Sequence, residues 1–216
     1  NPFAATFFSS AGKTVFLEQY RPGTSHWVDP DSLATRDRSP SPVLLGMVGI
    51  TDREFVGNIS LRGGDAPGSL AARHLFDEPA TRPLCESCQA KAVLGHDWIV
   101  LSASLHIWIA DNQGHVWYRD PRDIDPGSVA FAGSSITDRI AFTYLNLTRD
   151  RDTYLLDERV AVLDVAQKKD VFSRSLNLAS EPFHMRFGLP RFELSLSPDG
   201  KRLDVLRDNV LRYFAL

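Results

Sequence analysis

Hydrophobic and polar residues alternate with a period of two through most of this chain, and the pattern is cleanest near its end. Phe192, Leu194 and Leu196 alternate with Glu193, Ser195 and Ser197, as a strand with one buried face requires. Ser197-Pro198-Asp199-Gly200 follows. Pro presets φ, Asp caps the local backbone and Gly accepts a positive φ, so this is a tight turn. Leu203 and Val205, then Val210, Leu211, Tyr213 and Phe214, supply two further strands. Three such strands do not make a stable sheet alone, so the pattern calls for neighbours of the same shape.

The strand-turn-strand unit recurs. It is read over Ala5–Gln19 with a turn at Ser10-Ala11-Gly12-Lys13, and over Val43–Leu61 with a turn at Thr51-Asp52-Arg53. Further copies are Ala92–Ala103, turning at Gly95-His96-Asp97, and Val129–Leu147, turning at Thr137-Asp138-Arg139. A second marker, an apolar run closing on Asp, falls at Asp29, Asp77, Asp120 and Asp164, 43 to 48 residues apart. It is read as the end of each third strand. Outer strands are expected at Leu33–Arg38, Ala80–Leu84, Asp170–Leu176 and, in the third unit, Arg122–Ile124.

A step of roughly 40–50 residues with four strands per step is the signature of propeller blades. The expectation is an all-β fold, a β-propeller of five blades with about four antiparallel strands each. One domain spans residues 1–216, with blades near 4–40, 41–88, 89–126, 127–180 and 190–216. The last is short of its outer strand. RFELSLSPDGKRLDVLRDNVLRYF and RVAVLDVAQKKDVF resemble blades of the WD40-like, bacterial SPDGK-type β-propeller superfamily. That resemblance implies a fold rather than an activity. The chain departs from it in lacking a regular Gly-His…Trp-Asp signature. Members of the superfamily that it resembles are more often exported than cytosolic, which implies a secreted or periplasmic bacterial protein.

The 216 residues are 43% hydrophobic, enough for one sizeable core. The net charge of −3 offers no basic stripe for nucleic acid. No apolar run reaches the ~18 residues of a transmembrane helix. The chain opens on Asn1, which fits a removed leader or an internal start. Enzyme signatures such as GxSxG, GxxxxGK[ST] and GxGxxG do not occur in it. The turn aspartates recur by repeat position, as turn-capping residues do, so no catalytic residue is assigned. No metal site and no cofactor are expected.

Candidate binding chemistry lies on the face that carries the connections from second to third strand and from outer strand to next blade, with the long ones expected at Arg21–Ser25, Arg62–Gly68, Ile109–Gly114, Thr148–Glu158 and Ala179–Pro190. Thr148–Glu158 reads either as a charged recognition loop or as a solvated hairpin, with Arg149, Arg151 and Asp152 as candidate contacts. Ala179–Pro190 groups Phe183, His184, Arg186 and Phe187, a composition typical of interfaces. Cys85 and Cys88 are candidates for a local disulfide between the second and third units. Trp98, Trp108 and Trp117 are read as packing residues, with a carbohydrate platform as the sharper alternative. The sequence therefore points to a non-catalytic binding or scaffold module. It engages a protein partner through a long-loop face or an open edge, as a subunit of a larger assembly. The contrasting reading is a carbohydrate-active hydrolase or lyase with its site in a central channel.

Overall fold

The computed structural model describes residues 3–8, 15–19, 25–28, 32, 34–38, 45–50, 54–61, 68–75, 81–85, 87–95, 98–122, 129–150, 153–176, 192–207 and 209–216. Nineteen strands are found there, and each pairs with its neighbour in sequence, antiparallel wherever a register is resolved. The first sheet is β1 (Phe3–Phe8), β2 (Val15–Gln19), β3 (Ser25–Val28) and β4 (Thr35–Arg38). The second is β5 (Leu45–Ile50), β6 (Glu54–Leu61), β7 (Gly68–Leu75) and β8 (Thr81–Pro83). The third is β9 (Gln89–Leu94), β10 (Trp98–Ala103), β11 (His106–Ala110) and β12 (Val116–Arg119). The fourth is β13 (Phe131–Gly133), β14 (Arg139–Asp150), β15 (Thr153–Asp164) and β16 (Lys169–Ser175). The fifth has three strands, β17 (Phe192–Leu196), β18 (Arg202–Arg207) and β19 (Val210–Ala215).

The alternation therefore located every predicted inner pair, but two readings of the third unit are corrected. Its fourth strand is Val116–Arg119, ahead of the expected Arg122–Ile124, of which only Arg122 is among the described residues. Asp120 thus follows the fourth strand. The residue that follows the third strand is Asp111, whose Oδ1 accepts from the N–H groups of Gln113 and His115 at 2.9 and 2.8 Å. Asp164, the last residue of β15, likewise accepts from a turn N–H, that of Gln167, at 2.9 Å. The strand-closing Asp is a turn cap, and the spacing of Asp120 within the series was fortuitous. Consequently Ile109–Gly114 is no connection between second and third strands. It is the end of β11 and the turn into β12, while β10 and β11 are joined by Ser104-Leu105 alone.

Thr148–Glu158 is likewise no loop. β14 and β15 pair continuously from Arg139↔Asp164 to Asp150↔Thr153, so the stretch is the far end of one long hairpin. Of the two readings of this stretch, the hairpin is the one that the pairing matches, since alternating polar residues suit a strand pair with a solvated face.

The chain divides into two compact units. One comprises Asn1–Val93, Asp97–Ser104 and Trp108–Trp117. Its core joins Val56, Ala71, Leu84, Cys88, Ala90, Ile99, Leu101 and Ala110, with Trp108 packed against them. The Asn58 carboxamide bonds both backbone groups of Ala90, Oδ1 accepting at 2.8 Å and Nδ2 donating at 3.2 Å. The Cys85–Cys88 disulfide closes the turn between β8 and β9. Beside it Ala71 N donates to Cys88 O at 2.7 Å, and Leu84 N to Ala71 O at 2.9 Å.

The other unit comprises Leu94–His96, Leu105–Ile107 and Tyr118–Leu216. Its core joins Ala132, Ala141, Val160, Val162, Leu176, Leu196, Leu203 and Val205. In β14 and β15 consecutive residues, Ile140–Tyr144 and Val160–Leu163, are buried on both faces, as centrally placed strands should be. Gly133 explains the small residues of the inner strands. A Cβ there would stand 2.7 Å from both Gly95 N and Leu94 Cβ, so the backbones approach more closely than any side chain allows.

Candidate functional site

The fifth sheet is built by its turns. In the β17–β18 turn Ser197 Oγ donates to Asp199 Oδ1 at 2.7 Å and accepts from Lys201 N and Arg202 N. Gly200 takes φ +68°, and a side chain there would press against Thr137 and Arg139. The Ser197 hydroxyl, then the Lys201 N–H, hold the Asp199 carboxyl below its usual range. Asn209 turns β18 into β19 at φ +66°, a conformation that Asn tolerates better than most residues.

The same unit holds this sheet from two sides. Ser134 Oγ donates to the carbonyl of Pro198, and Arg139 Nη1 to that of Gly200 at 2.7 Å. Arg212 Nη1 donates to Leu176 O at 3.1 Å. The Phe214 ring packs on Phe172 with centroids 5.4 Å apart, and the Arg174 guanidinium lies over it. Glu158, 4% exposed, meets Arg207 Nη1 of β18 at 2.7 Å. Its placement in the charged loop is thereby corrected: it is an interior partner of the fifth sheet. No signal near Glu158 marks this, because its cation lies about fifty residues further on.

β19 pairs with β18 in the register Leu203↔Phe214, Asp204↔Tyr213 and Val205↔Arg212. Leu216 N donates to Lys201 O, so Leu216 sits in a hydrogen-bonded pair. In an antiparallel ladder such pairs alternate. Arg212 and Phe214 therefore turn their backbone groups toward β18, and Leu211, Tyr213 and Ala215 turn theirs to the other edge. Among the described residues no strand pairs with that edge. Its side chains are apolar and solvent-facing: Val210 is 50%, Leu211 63% and Tyr213 75% exposed. Arg202 lies over the Tyr213 ring at 5.8 Å and bonds Asp204 at 2.8 Å.

A second cluster surrounds Arg122. Its Nε donates to Asp120 Oδ1 at 2.7 Å and its Nη2 to Oδ2, while Nη1 donates to Asp170 Oδ2 at 2.8 Å. The guanidinium stands 4.9 and 5.0 Å from the ring centroids of Phe142 and Tyr144. Burial alone would lower the pKa of Arg122, but the Asp120 and Asp170 bonds and charges override it and raise it. Burial, then the Asp120 charge, raises that of Tyr118. His106 Nδ1 lies 3.2 Å from the Arg122 carbonyl. Asp120, 2% exposed, is thus one arm of a filled ionic clamp.

Of the residues singled out for binding, Arg149 lies in β14 opposite Tyr154. Arg151, Asp152, Phe183, His184, Arg186 and Phe187 lie outside the described residues. Trp117 is exposed and Trp108 packs on the core.

No protein-family model and no curated protein matches the chain. Solved structures do. TolB from Acinetobacter baumannii aligns over 99% of this chain and 54% of its own, at 13% identity and TM-score 0.52. A prolyl endopeptidase aligns over 95% of this chain and 31% of its own, at 13% identity and TM-score 0.52. Both are β-propeller proteins. The fold of this chain is a β-propeller. Hydrazine synthase from Kuenenia stuttgartiensis, at 13% identity and TM-score 0.50, is matched over 95% of this chain and 55% of its own. This propeller chain spans about half the length of TolB and of hydrazine synthase, and less than a third of the endopeptidase. Identities this low speak to fold alone.

Proposed function

We propose that this propeller is a non-catalytic binding module of an exported bacterial protein, and that it engages a protein partner through the uncovered edge of β19. Each of the five sheets is read as one blade of a single domain over residues 1–216. The carrying observation is the contrast between the fifth sheet and the other four. Among the described residues four sheets have four strands and the fifth has three, and no described strand lies beside the outward peptide groups of β19, which are flanked by exposed Leu211 and Tyr213. An edge of that kind accepts an added strand through main-chain bonds, with alternate side chains supplying specificity. The disulfide supports export, since such bonds persist in oxidising compartments. The hydrolase or lyase reading asks for carboxylates available to a sugar. The acidic pair brought together here, Asp120 and Asp170, is occupied by Arg122.

Selection of displayed peptides on the folded protein tests this reading. Binders that adopt an extended conformation should lose affinity for Tyr213→Pro, which removes an outward N–H without touching the β18 ladder. Binders indifferent to that substitution would contradict it.

A further inference from the structure

We propose that the Cys85–Cys88 disulfide is a thiol–disulfide exchange site, opened reversibly by the dithiol of a partner oxidoreductase, with Cys85 as the sulfur attacked and Cys88 as the leaving thiolate. This site is independent of the β19 edge.

The two cysteines differ in access. Cys88 is 1% exposed and belongs to the core of its unit, whereas Cys85 is only partly buried against that core. The chain around the bond lies at the surface, since Arg82, Pro83, Ser87 and Gln89 are all exposed. Exchange begins when a thiolate attacks one disulfide sulfur, and its course depends on which sulfur can be reached. Solvent access therefore sets the direction: the incoming sulfur meets Cys85, and the bond opens toward Cys88. No helix N-terminus activates either sulfur among the described residues, so the attacking thiolate comes from outside this chain.

Opening the bond leaves its scaffold in place. The flanks are held by contacts that do not involve sulfur. Leu84 N donates to Ala71 O at 2.9 Å, Ala71 N donates to Cys88 O at 2.7 Å, and Asn58 binds both backbone groups of Ala90. With a sequence separation of 3, the disulfide restricts the unfolded chain little, so its loss does not unfold the sheets. Held on one fixed connection with Cα atoms 5.8 Å apart, the reduced pair is poised to close again.

The exchange balances in two steps. The first thiolate of the partner forms a bond to Cys85 Sγ, the Cys85–Cys88 bond breaks, and Cys88 leaves as a thiolate that takes up a proton. The partner's second thiol loses its proton and attacks the partner's own sulfur in the mixed disulfide, releasing Cys85 as a thiolate that is protonated in turn. Two electrons pass to this chain, and the partner dithiol becomes a disulfide.

A thioredoxin-type protein whose second active-site cysteine is replaced by serine is the probe, because it stops at the mixed disulfide. Mixed with the native wild-type chain, it should be found by peptide mass spectrometry joined to Cys85, with Cys88 a free thiol. The intact probe should leave both thiols free and the circular dichroism spectrum unchanged, and oxidised glutathione should restore the Cys85–Cys88 bond. A disulfide reagent should label the thiol of native Cys88→Ser, but that of Cys85→Ser only after denaturant is added. The trapping result stands without these variants. A bond that opens only in denaturant, an adduct on Cys88, a reduced chain that unfolds, or equal native labelling of the two variants would each overturn the proposal.

Discussion

Arg207 Nη1 of β18 stands 2.7 Å from Glu158 Oε2 of β15, and that carboxylate is almost wholly buried. The pair joins residues about fifty positions apart and ties the fifth sheet to the fourth. The Arg207 guanidinium also covers the Phe192 ring at 5.8 Å. Removing one member of a buried ion pair strands the other charge, at a cost of about 3–5 kcal/mol. Arg207→Ala and Glu158→Ala should therefore each destabilise strongly in denaturant titrations. The double variant should lose clearly less than the sum. Additive losses would mean that the two side chains do not depend on each other.

Arg122 is a sharper case, because one guanidinium serves Asp120 and Asp170 and lies on two rings. Arg122→Ala should cost about 3–5 kcal/mol, since Asp120 is left buried without its cation. Arg122→Lys keeps the charge but cannot fork to two carboxylates, so it should fall between wild type and Ala. Equal stability of Lys and wild type in urea unfolding would refute the forked geometry.

The disulfide spans only Cys85 to Cys88, so it restricts the unfolded chain modestly. Loop-closure entropy for a four-residue ring gives about 2 kcal/mol. The Cys85→Ser/Cys88→Ser double variant should lose about that much, and addition of a dithiol reductant should affect the wild type alone. A loss on the scale of global unfolding would show that the bond does more than close this turn.

Asp199 gives a pH prediction. The Ser197 hydroxyl first, and then the Lys201 N–H, lower its folded-state pKa below that of an ordinary aspartate. A depressed carboxyl stabilises the folded state above its unfolded pKa, and that contribution is lost as pH falls through the folded value. Nuclear magnetic resonance titration should find Asp199 below the usual carboxyl range. Ser197→Ala should move it back upward. A Ser197→Ala titration identical to wild type would remove the hydroxyl as the cause.

The pairing of inner strands was legible because each is announced by period-two alternation and by turn residues such as Asp199-Gly200, both local features. The third unit was misread because Asp120 resembles a strand-closing cap in sequence, whereas its role is set by Arg122 and by Asp170 on a different sheet. Asp111, the true cap, follows an equally apolar run, Ile107–Ala110, and was within reach. Glu158 closes a stretch that reads as a charged loop or a solvated hairpin, because its burial depends on Arg207, a distant contact with no trace in local pattern. Which peptide groups of β19 face outward depends on ladder phase, fixed by Leu216 N and Lys201 O, and alternation of side chains alone does not reveal it.

The central claim is that β19 presents an open edge. Residue-resolved amide exchange measures it directly. In dilute protein the amides of Arg212, Phe214 and Leu216 should exchange slowly and those of Leu211, Tyr213 and Ala215 quickly. The fast set should become protected as the edge is filled on binding a strand-forming peptide. Equal protection of all six amides in the dilute state would show the edge already covered and would contradict the account.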